Sequence, residues 1–436
     1  MPRKKRKLFQ APRGTYDILP QDQIYWEKIR RVVRDLSGDY GFDRIDTPII
    51  EDTEIFVKGT GQTTDIVEKQ MYSFRSKGGD NLTLRPEGTP GVIRAYLENG
   101  FINLPHPVKL YYFGPMFRYE HPQAGRFRQF YQFGFEIIGG QEPVLDVQVI
   151  QLFLHILRDL GLKKTEVRIN SLGCPECRPG FRRALVDYYR SRKNRICPEC
   201  QKRLKGNPLR LLDCKEEKCQ PVKAGAPASL DYLCHQCHNH LKSVLEFLDE
   251  LEIPYFLDNQ LVRGLDYYTK TVFEVTPEPG EVASGQETRQ PISLGAGGRY
   301  DGLVKTLGGK PTPAVGMAAG VERIIHLMRE QGVKVSARSS PKVFLVQLGE
   351  LGQRKSLKIF EELHREEIHI AESLSKPSIK SQLKIADKLG AKFSLILGQQ
   401  EALDGSVIIR DMESGVQETV PIAKVVSELK KRLGKK

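Results

Sequence analysis

The chain has 436 residues, 39% of them hydrophobic and 28% charged, a balance that excludes a disordered or fibrous protein and leaves room for two or three cores. No apolar run approaches the roughly 20 residues needed to cross a bilayer, and the charged start lacks the apolar stretch of a secretory signal, so a cytoplasmic protein is expected. A formal charge of +13 and a pI near 9.2 favour a polyanionic partner, with charge supplying affinity and steering rather than identity.

In chain order, PRKKRKL sets five basic residues at positions 3–7. Such blocks seldom fold, so residues 1–9 read as a basic extension that brushes RNA phosphates. Residues 22–40 carry Ile24, Ile29, Val32, Val33 and Leu36 at helical spacings, and Gly41 ends that helix. A strand-like FDRIDTPII follows. NLTLRPEG, VKLYYFGPMFRYE, RQFYQFGFEIIG, TVFEV and ISLGAGG read as further strands, with helices at 89–98 and 144–160. Strands with few crossover helices between them predict a mainly antiparallel sheet in an α+β domain spanning 10–170 and 257–333. There is no G-x-x-x-x-G-K-[ST], so ATP would not be held by a P-loop. Between 171 and 256 the composition changes, and the earlier pattern resumes at Leu261; the intervening segment reads as an inserted, cysteine-rich domain. SARSS (Ser336 to Ser340) reads as a linker. After it, VFLVQLG, a helix near 354–367, a short IHIAES strand, a helix near 378–389, FSLILG and SVIIRDM alternate as βαβ units do. They predict a small α/β domain with a mostly parallel sheet at 341–436.

All eight cysteines lie in the segment 171–256. CPEC, CPEC and CHQC are three CxxC pairs, and Cys214 with Cys219 makes a wider one. In a reducing compartment such pairs indicate a metal before disulfides. Zinc takes four thiolate or imidazole ligands, so eight thiols permit two structural sites. Pairing by adjacency predicts Cys174, Cys177, Cys197 and Cys200 for one, and Cys214, Cys219, Cys234 and Cys237 for the other. Other pairings stay open, and His235, His238 or His240 could replace a cysteine.

Five segments carry the chemistry. They are FRYE (Phe117 to Glu120), RFRQFYQFGFE after it, LVRGLDYYTKTVFE (Leu261 to Glu274), GAGGRYDGL (Gly295 to Leu303) and AAGVERIIHLM with Glu322 and Arg323. A charge between aromatic neighbours is costly unless paired or used, and a guanidinium offers a planar fork that suits phosphate. In this order the segments resemble a class II aminoacyl-tRNA synthetase, and RGLDYY with GAGGRYDGL resembles the histidyl-tRNA synthetase family. The resemblance runs from QAPRGTYDILP (Gln10 to Pro20) to the C-terminus.

That resemblance implies histidine activation with ATP and magnesium, followed by transfer to tRNA. It also implies a homodimer built on the first helix and Pro48, and a C-terminal anticodon-binding domain. It assigns Arg118 to the α-phosphate and the substrate carboxylate, Glu120 to the adenine amino group, Phe130 to the adenine face and Arg323 to the other side of the nucleotide. Arg263 takes the place that a magnesium ion fills at the α-phosphate in most of the class. The histidine site would be Glu87, Gly88, Thr89, Gln132, Glu136, Tyr267, Tyr268 and Tyr300 together with Arg118 and Arg263. Glu136 faces the imidazole and Glu87 the ammonium. The loop HPQAGRFR would reach ATP phosphates or the tRNA acceptor end through Arg126 and Arg128. No side-chain nucleophile is needed, because the substrate carboxylate attacks by itself. A silent relative, the regulatory subunit of ATP phosphoribosyltransferase, loses the C-terminal domain and erodes RGLDYY; this chain keeps both. A zinc-bearing RNA-binding protein that retains only the fold would not keep Arg118, Arg263 and Arg323 together.

Overall fold

The structure is a computed structural model that describes residues 9–120, 126–278, 293–335, 341–373, 375 and 378–434. The basic run at positions 3–7, the first part of HPQAGRFR and the SARSS linker lie outside the described residues. The chain divides into two compact units, Met1–Lys334 and Val335–Lys436.

The first unit contains β1 (Asp43–Arg44), β2 (Ile50–Asp52), β3 (Tyr72–Arg75), β4 (Asn81–Leu84), β5 (Val108–Phe117), β6 (Gln129–Ile138), β7 (Thr165–Ser171), β8 (Tyr255–Leu257), β9 (Thr269–Pro277), β10 (Gly295–Arg299) and β11 (Ala314–Gly320). Eight of these form one sheet in the order β1-β5-β6-β11-β10-β9-β7-β8, and β2-β4-β3 form a small second one. The six central strands of the large sheet pair antiparallel, and only the edge pairs β1–β5 and β7–β8 are parallel. The mainly antiparallel expectation holds. FDRIDTPII is broken into β1 and β2, which belong to different sheets.

The helices form where apolar periodicity demands a face. Gln23–Asp39 buries Trp26, Ile29 and Val33, and Thr89–Glu98 buries Val92, Ile93 and Tyr96. Pro143–Asp159 buries Val147, Ile150, Phe153 and Leu157. The cysteine-bearing segment is the connection between β7 and its parallel neighbour β8, and parallel neighbours require such a crossover. It is mostly helical, with Arg178–Arg190, Pro198–Gly206 and His235–Glu250 as its longer helices. Its Phe181, Leu185, Tyr189 and Leu211 join Tyr112, Tyr268 and Tyr300 in one continuous core.

A fully buried network ties the crossover to the sheet. Arg299 on β10 donates to Asp146 at 2.8 Å, and His240 of the helix His235–Glu250 lies 3.3 Å from the same carboxylate. A buried arginine is tolerable only when paired in this way. His240 is thus an ion-network residue here and stands in neither cysteine cluster.

The second unit contains β12 (Val343–Gln347), β13 (Ile370–Glu372), β14 (Phe393–Leu397), β15 (Ser406–Asp411) and β16 (Gln417–Pro421), in the order β13-β12-β14-β15-β16. Val343 and Leu345 face one core while Phe344 and Val346 face another, so the sheet is covered on both sides. The first three strands are parallel, but β14–β15 and β15–β16 are antiparallel. The sheet is therefore mixed, which corrects the mostly parallel expectation. The short connections after β14 and β15 leave no crossover long enough for parallel pairing.

Candidate active site and cysteine clusters

One side of the site is built on β5, β6, β11 and the start of the helix Thr89–Glu98. Glu136 on β6 is completely buried. It accepts a hydrogen bond from Thr89 Oγ1 at 2.7 Å and another from the Tyr300 hydroxyl. Burial pushes its carboxyl up to about 8, although both hydrogen bonds pull the other way; the nearby Glu87 adds to the rise. Glu87 accepts from Thr60 Oγ1 at 2.5 Å and from the Tyr267 hydroxyl at 2.8 Å. Burial raises its carboxyl too, against those two hydrogen bonds and the charge of Arg118.

Among the buried oxygens without a hydrogen-bond partner in the described residues, Gln132 Oε1 and the Tyr112 hydroxyl belong to this pocket. Facing the same pocket as two glutamates, they leave polar groups there for a ligand to satisfy. Two glycines admit the close approach. A Cβ on Gly316 would lie 1.8 Å from Glu136 Oε2, and one on Gly134 would lie 2.4 Å from the Tyr112 hydroxyl. A Cβ at Gly88 would strike the Tyr112 ring. Tyr267, Tyr268 and Tyr300 close the wall, with centroids 4.7 Å apart for the first pair and 5.7 Å for Tyr267 with Tyr300.

The other side of the site is a field of guanidinium groups. Arg118 lies one residue past the end of β5 rather than on the strand. It donates to the Pro86 carbonyl at 2.8 Å and lies over the Phe130 ring at 5.3 Å. Arg263 reaches Glu274 at 3.4 Å, and its Nε is buried without a hydrogen-bond partner. Arg323, in the first turn of the helix Val321–Glu330, donates to the Ser293 carbonyl at 3.0 Å. Its proton is held less tightly than usual, first because of burial and then because Arg126, Arg118 and Arg263 add positive charge around it. Four arginines close enough to repel one another, against the two carboxylates of Glu274 and Glu120, form a place for a polyanion. Glu120 offsets some of that charge and lies 3.6 Å from Arg126; Arg118 makes no ion pair with it among the described residues. Arg128 lies over the Tyr119 ring at 4.0 Å.

Glu322 turns out to be a positioning residue. Its carboxylate accepts the Tyr131 backbone N–H at 2.9 Å and the Tyr16 hydroxyl at 2.9 Å. Tyr112, Thr60 and Tyr16 were not anticipated as parts of the site. Tyr112 sits in an aromatic strand where a ring reads as core, and only its unpaired hydroxyl distinguishes it. His106 and His155 are hydrogen-bonded to Tyr96 and Tyr40, and His326 lies 3.3 Å from Glu330.

The cysteines form two four-thiol clusters, Cys174–Cys177–Cys234–Cys237 and Cys197–Cys200–Cys214–Cys219. Pairing by adjacency is corrected: CPEC at 174–177 joins CHQC at 234–237, while the second CPEC joins Cys214 and Cys219. The helix His235–Glu250 returns the chain beside the end of β7, so the first and last pairs meet across the whole crossover. Sulfur separations are 3.7 Å (Cys174–Cys177), 3.8 Å (Cys174–Cys234) and 3.9 Å (Cys177–Cys237), with 3.9 Å for Cys197–Cys214 and 4.0 Å for Cys200–Cys219. A tetrahedron with zinc–sulfur bonds of about 2.3 Å has edges of about 3.8 Å, whereas a disulfide would bring sulfurs to about 2.05 Å. All eight cysteines are free, and the geometry fits a tetrathiolate metal site.

Comparison with known proteins covers both units. The family described as Histidyl-tRNA synthetase matches residues 14–178 and 211–324, and the family described as Anticodon binding domain matches 342–432. The uncovered stretch 179–210 falls inside the cysteine-bearing crossover. A histidine–tRNA ligase of Dehalococcoides mccartyi is 45% identical over 98% of this chain and 100% of its own length. One of Desulforudis audaxviator is 47% identical over 97% of this chain and 99% of its own. The crystal structure of apo S. aureus histidyl-tRNA synthetase has a TM-score of 0.80 and 35% identity, covering 97% of this chain and 100% of that one. Identity of this degree, sustained over whole chains, places the molecule: it belongs to the histidyl-tRNA synthetase family.

Proposed function

We propose that this protein is a histidine–tRNA ligase working in two steps. In the first, a carboxylate oxygen of L-histidine attacks the α-phosphorus of ATP, the bond to the bridging oxygen breaks, and pyrophosphate leaves. In the second, a hydroxyl at the 3′ end of the tRNA attacks the carbonyl carbon of the adenylate and AMP leaves. Glu136 with Tyr300 takes the imidazole, while Glu87 with Gln132 takes the ammonium. Gly88 and Thr89 start the helix that lines the pocket, and Tyr267 and Tyr268 close it. Arg118 and Arg263 hold the carboxylate against the α-phosphate, where negative charge concentrates in the transition state. Arg323 and Arg126 take the outer phosphates, Phe130 stacks on adenine and Glu120 accepts from its amino group. Magnesium accompanies the ATP and supplies further charge neutralisation when bound.

The observation that carries this reading is a buried, hydrogen-bonded carboxylate beside a field of four arginines, in a pocket with two unpartnered oxygens. Pyrophosphate exchange with each proteinogenic amino acid tests it. Exchange should depend on histidine alone; equal exchange with another amino acid would end the assignment.

The same reading extends to the rest of the chain. The C-terminal domain, residues 341–436, binds the tRNA anticodon, and the basic residues 1–9 add affinity for RNA phosphates. The four-cysteine clusters each hold a structural zinc ion within an inserted domain at 171–256, beside the catalytic domain at 10–170 and 257–333. Saturated thiolate sites leave no open position for catalysis. Ile49 and Ile50 are exposed beside Pro48, which supports a homodimer through that motif. Among the described residues no helix is long and apolar enough to cross a membrane, and we place the enzyme in the cytoplasm.

A further inference from the structure

Arg263, Tyr267 and Tyr268 sit on a segment without regular secondary structure between residues 261 and 268. Such a segment takes its position from what it touches. Two of the hydrogen bonds that hold it come from the cysteine-bearing crossover, from Arg178 and from Asn207. Arg178, next to Cys177, donates to the Tyr268 carbonyl and also to the Leu172 carbonyl at 3.4 Å. Backbone bonds from Lys270 N to Gly173 O (2.9 Å) and from Leu172 N to Lys270 O (2.8 Å) join the same two stretches.

The second cluster reaches the opposite end. Arg210, between Cys200 and Cys214, is almost fully buried and holds Asp65 at 2.6 Å; Arg203 reaches that carboxylate at 3.4 Å. Asn207 donates to Asp266 at 2.6 Å, and Lys69 pairs with Glu199 at 3.3 Å. The Asp266 N–H in turn donates to the Thr60 carbonyl at 3.0 Å. Thr60 and Tyr267, so fixed, both place their hydroxyls on Glu87.

We propose that zinc in the two four-cysteine clusters positions the histidine pocket, by clamping residues 263–270 through Arg178 and residues 60–65 through Arg210, so that metal occupancy sets histidine affinity. The proposal rests on the histidine specificity argued above. It assigns Arg178, Arg210 and Asp65 as positioning residues, since none of them lines the pocket. ATP, held mainly by Arg118, Arg323 and Phe130, should feel the clamp less.

Titration calorimetry with L-histidine and with ATP, together with elemental analysis for zinc, tests this on the full chain. Arg178→Gln should keep its zinc and weaken histidine binding about tenfold, the scale of a hydrogen bond from a charged group. Asp65→Asn leaves every thiol in place and should weaken histidine roughly threefold, because its ion pairs are partly screened by solvent. Both should change ATP affinity by less than about twofold, a split that general loosening of the fold would not produce. Removing zinc with a chelator should reproduce the histidine effect, and adding zinc back should reverse it. Should the stripped protein unfold, the two variants carry the test by themselves. Wild-type histidine affinity in both variants, equal losses for histidine and ATP, or protein purified without zinc would overturn the proposal. A wild-type protein that binds no histidine would overturn the functional reading with it, whereas normal wild-type binding with unaffected variants would overturn the clamp alone.

Discussion

Replacing Glu136 by glutamine separates the effect of burial from that of hydrogen bonding at the centre of the pocket. The carboxyl is fully buried, and its value of about 8 lies well above the 4.5 of an exposed glutamate. Between those two values the folded protein keeps a proton that the unfolded chain has already released. The stabilising contribution of that proton is complete below about pH 4.5 and is lost as pH rises through 8. At about 1.4 kcal/mol per pH unit, the interval corresponds to at most about 5 kcal/mol. Glutamine has no such proton, so Glu136→Gln should gain stability relative to wild type as pH rises from 5 to 9. Urea unfolding followed through Trp26, the single tryptophan and a buried one, reads the first unit directly. The variant should also bind histidine roughly 10- to 100-fold more weakly at pH 9, where the lost partner would be a charged hydrogen-bond acceptor. A stability gap between variant and wild type that is the same at pH 5 and pH 9 would show that Glu136 is ionised throughout, and the burial argument would fail.

Arg263→Ala should slow adenylate formation by about 10²–10³ while changing histidine affinity far less, because its charge acts chiefly on the transition state; near-normal single-turnover activation would make Arg263 structural. Removing residues 341–436 should largely abolish tRNA charging and spare much of the pyrophosphate exchange, since the second unit has its own cores; equal loss of both activities in a folded dimer would contradict the division of labour. Protein prepared without chelator should contain about two zinc ions per chain, one per cluster, because each four-thiol set already has tetrahedral spacing; less than about half an ion, with all eight thiols titrating freely, would leave the cysteines unmetallated.

Much of the candidate site was legible because its residues break local rules. Arg118, Glu136 and Arg263 put charge among aromatic and aliphatic neighbours, where only a partner or a ligand makes it tolerable. In the structure Arg118 and Arg263 lie close enough to Arg323 to add positive charge around it. The central strand β11 was not legible. Its sequence AVGMAAG has little strand propensity and no alternation, yet it lies between β6 and β10 at the middle of the sheet. Its smallness is what the site needs, since Gly316 leaves the room that Glu136 occupies. Thr60 and Tyr112 were equally hidden, because a threonine or an aromatic residue in apolar surroundings reads as ordinary packing.

The sequence by itself determined the kinds of chemistry present: eight thiols in three CxxC pairs and one wider pair, arginines at three separate motifs, the principal helices, and a run of strands with too few crossovers for a parallel sheet. Periodicity and composition are local, so they survive being read one segment at a time. Tertiary structure alone decided which thiols share a cluster, joining Cys174 and Cys177 to Cys234 and Cys237 some 60 residues away. It also decided that the sheet of the second unit is mixed, and that the loop with Arg263 rests on the cysteine crossover. Each of these is a long-range pairing, and it is set by which buried faces and charges can be satisfied together only after the chain has closed on itself.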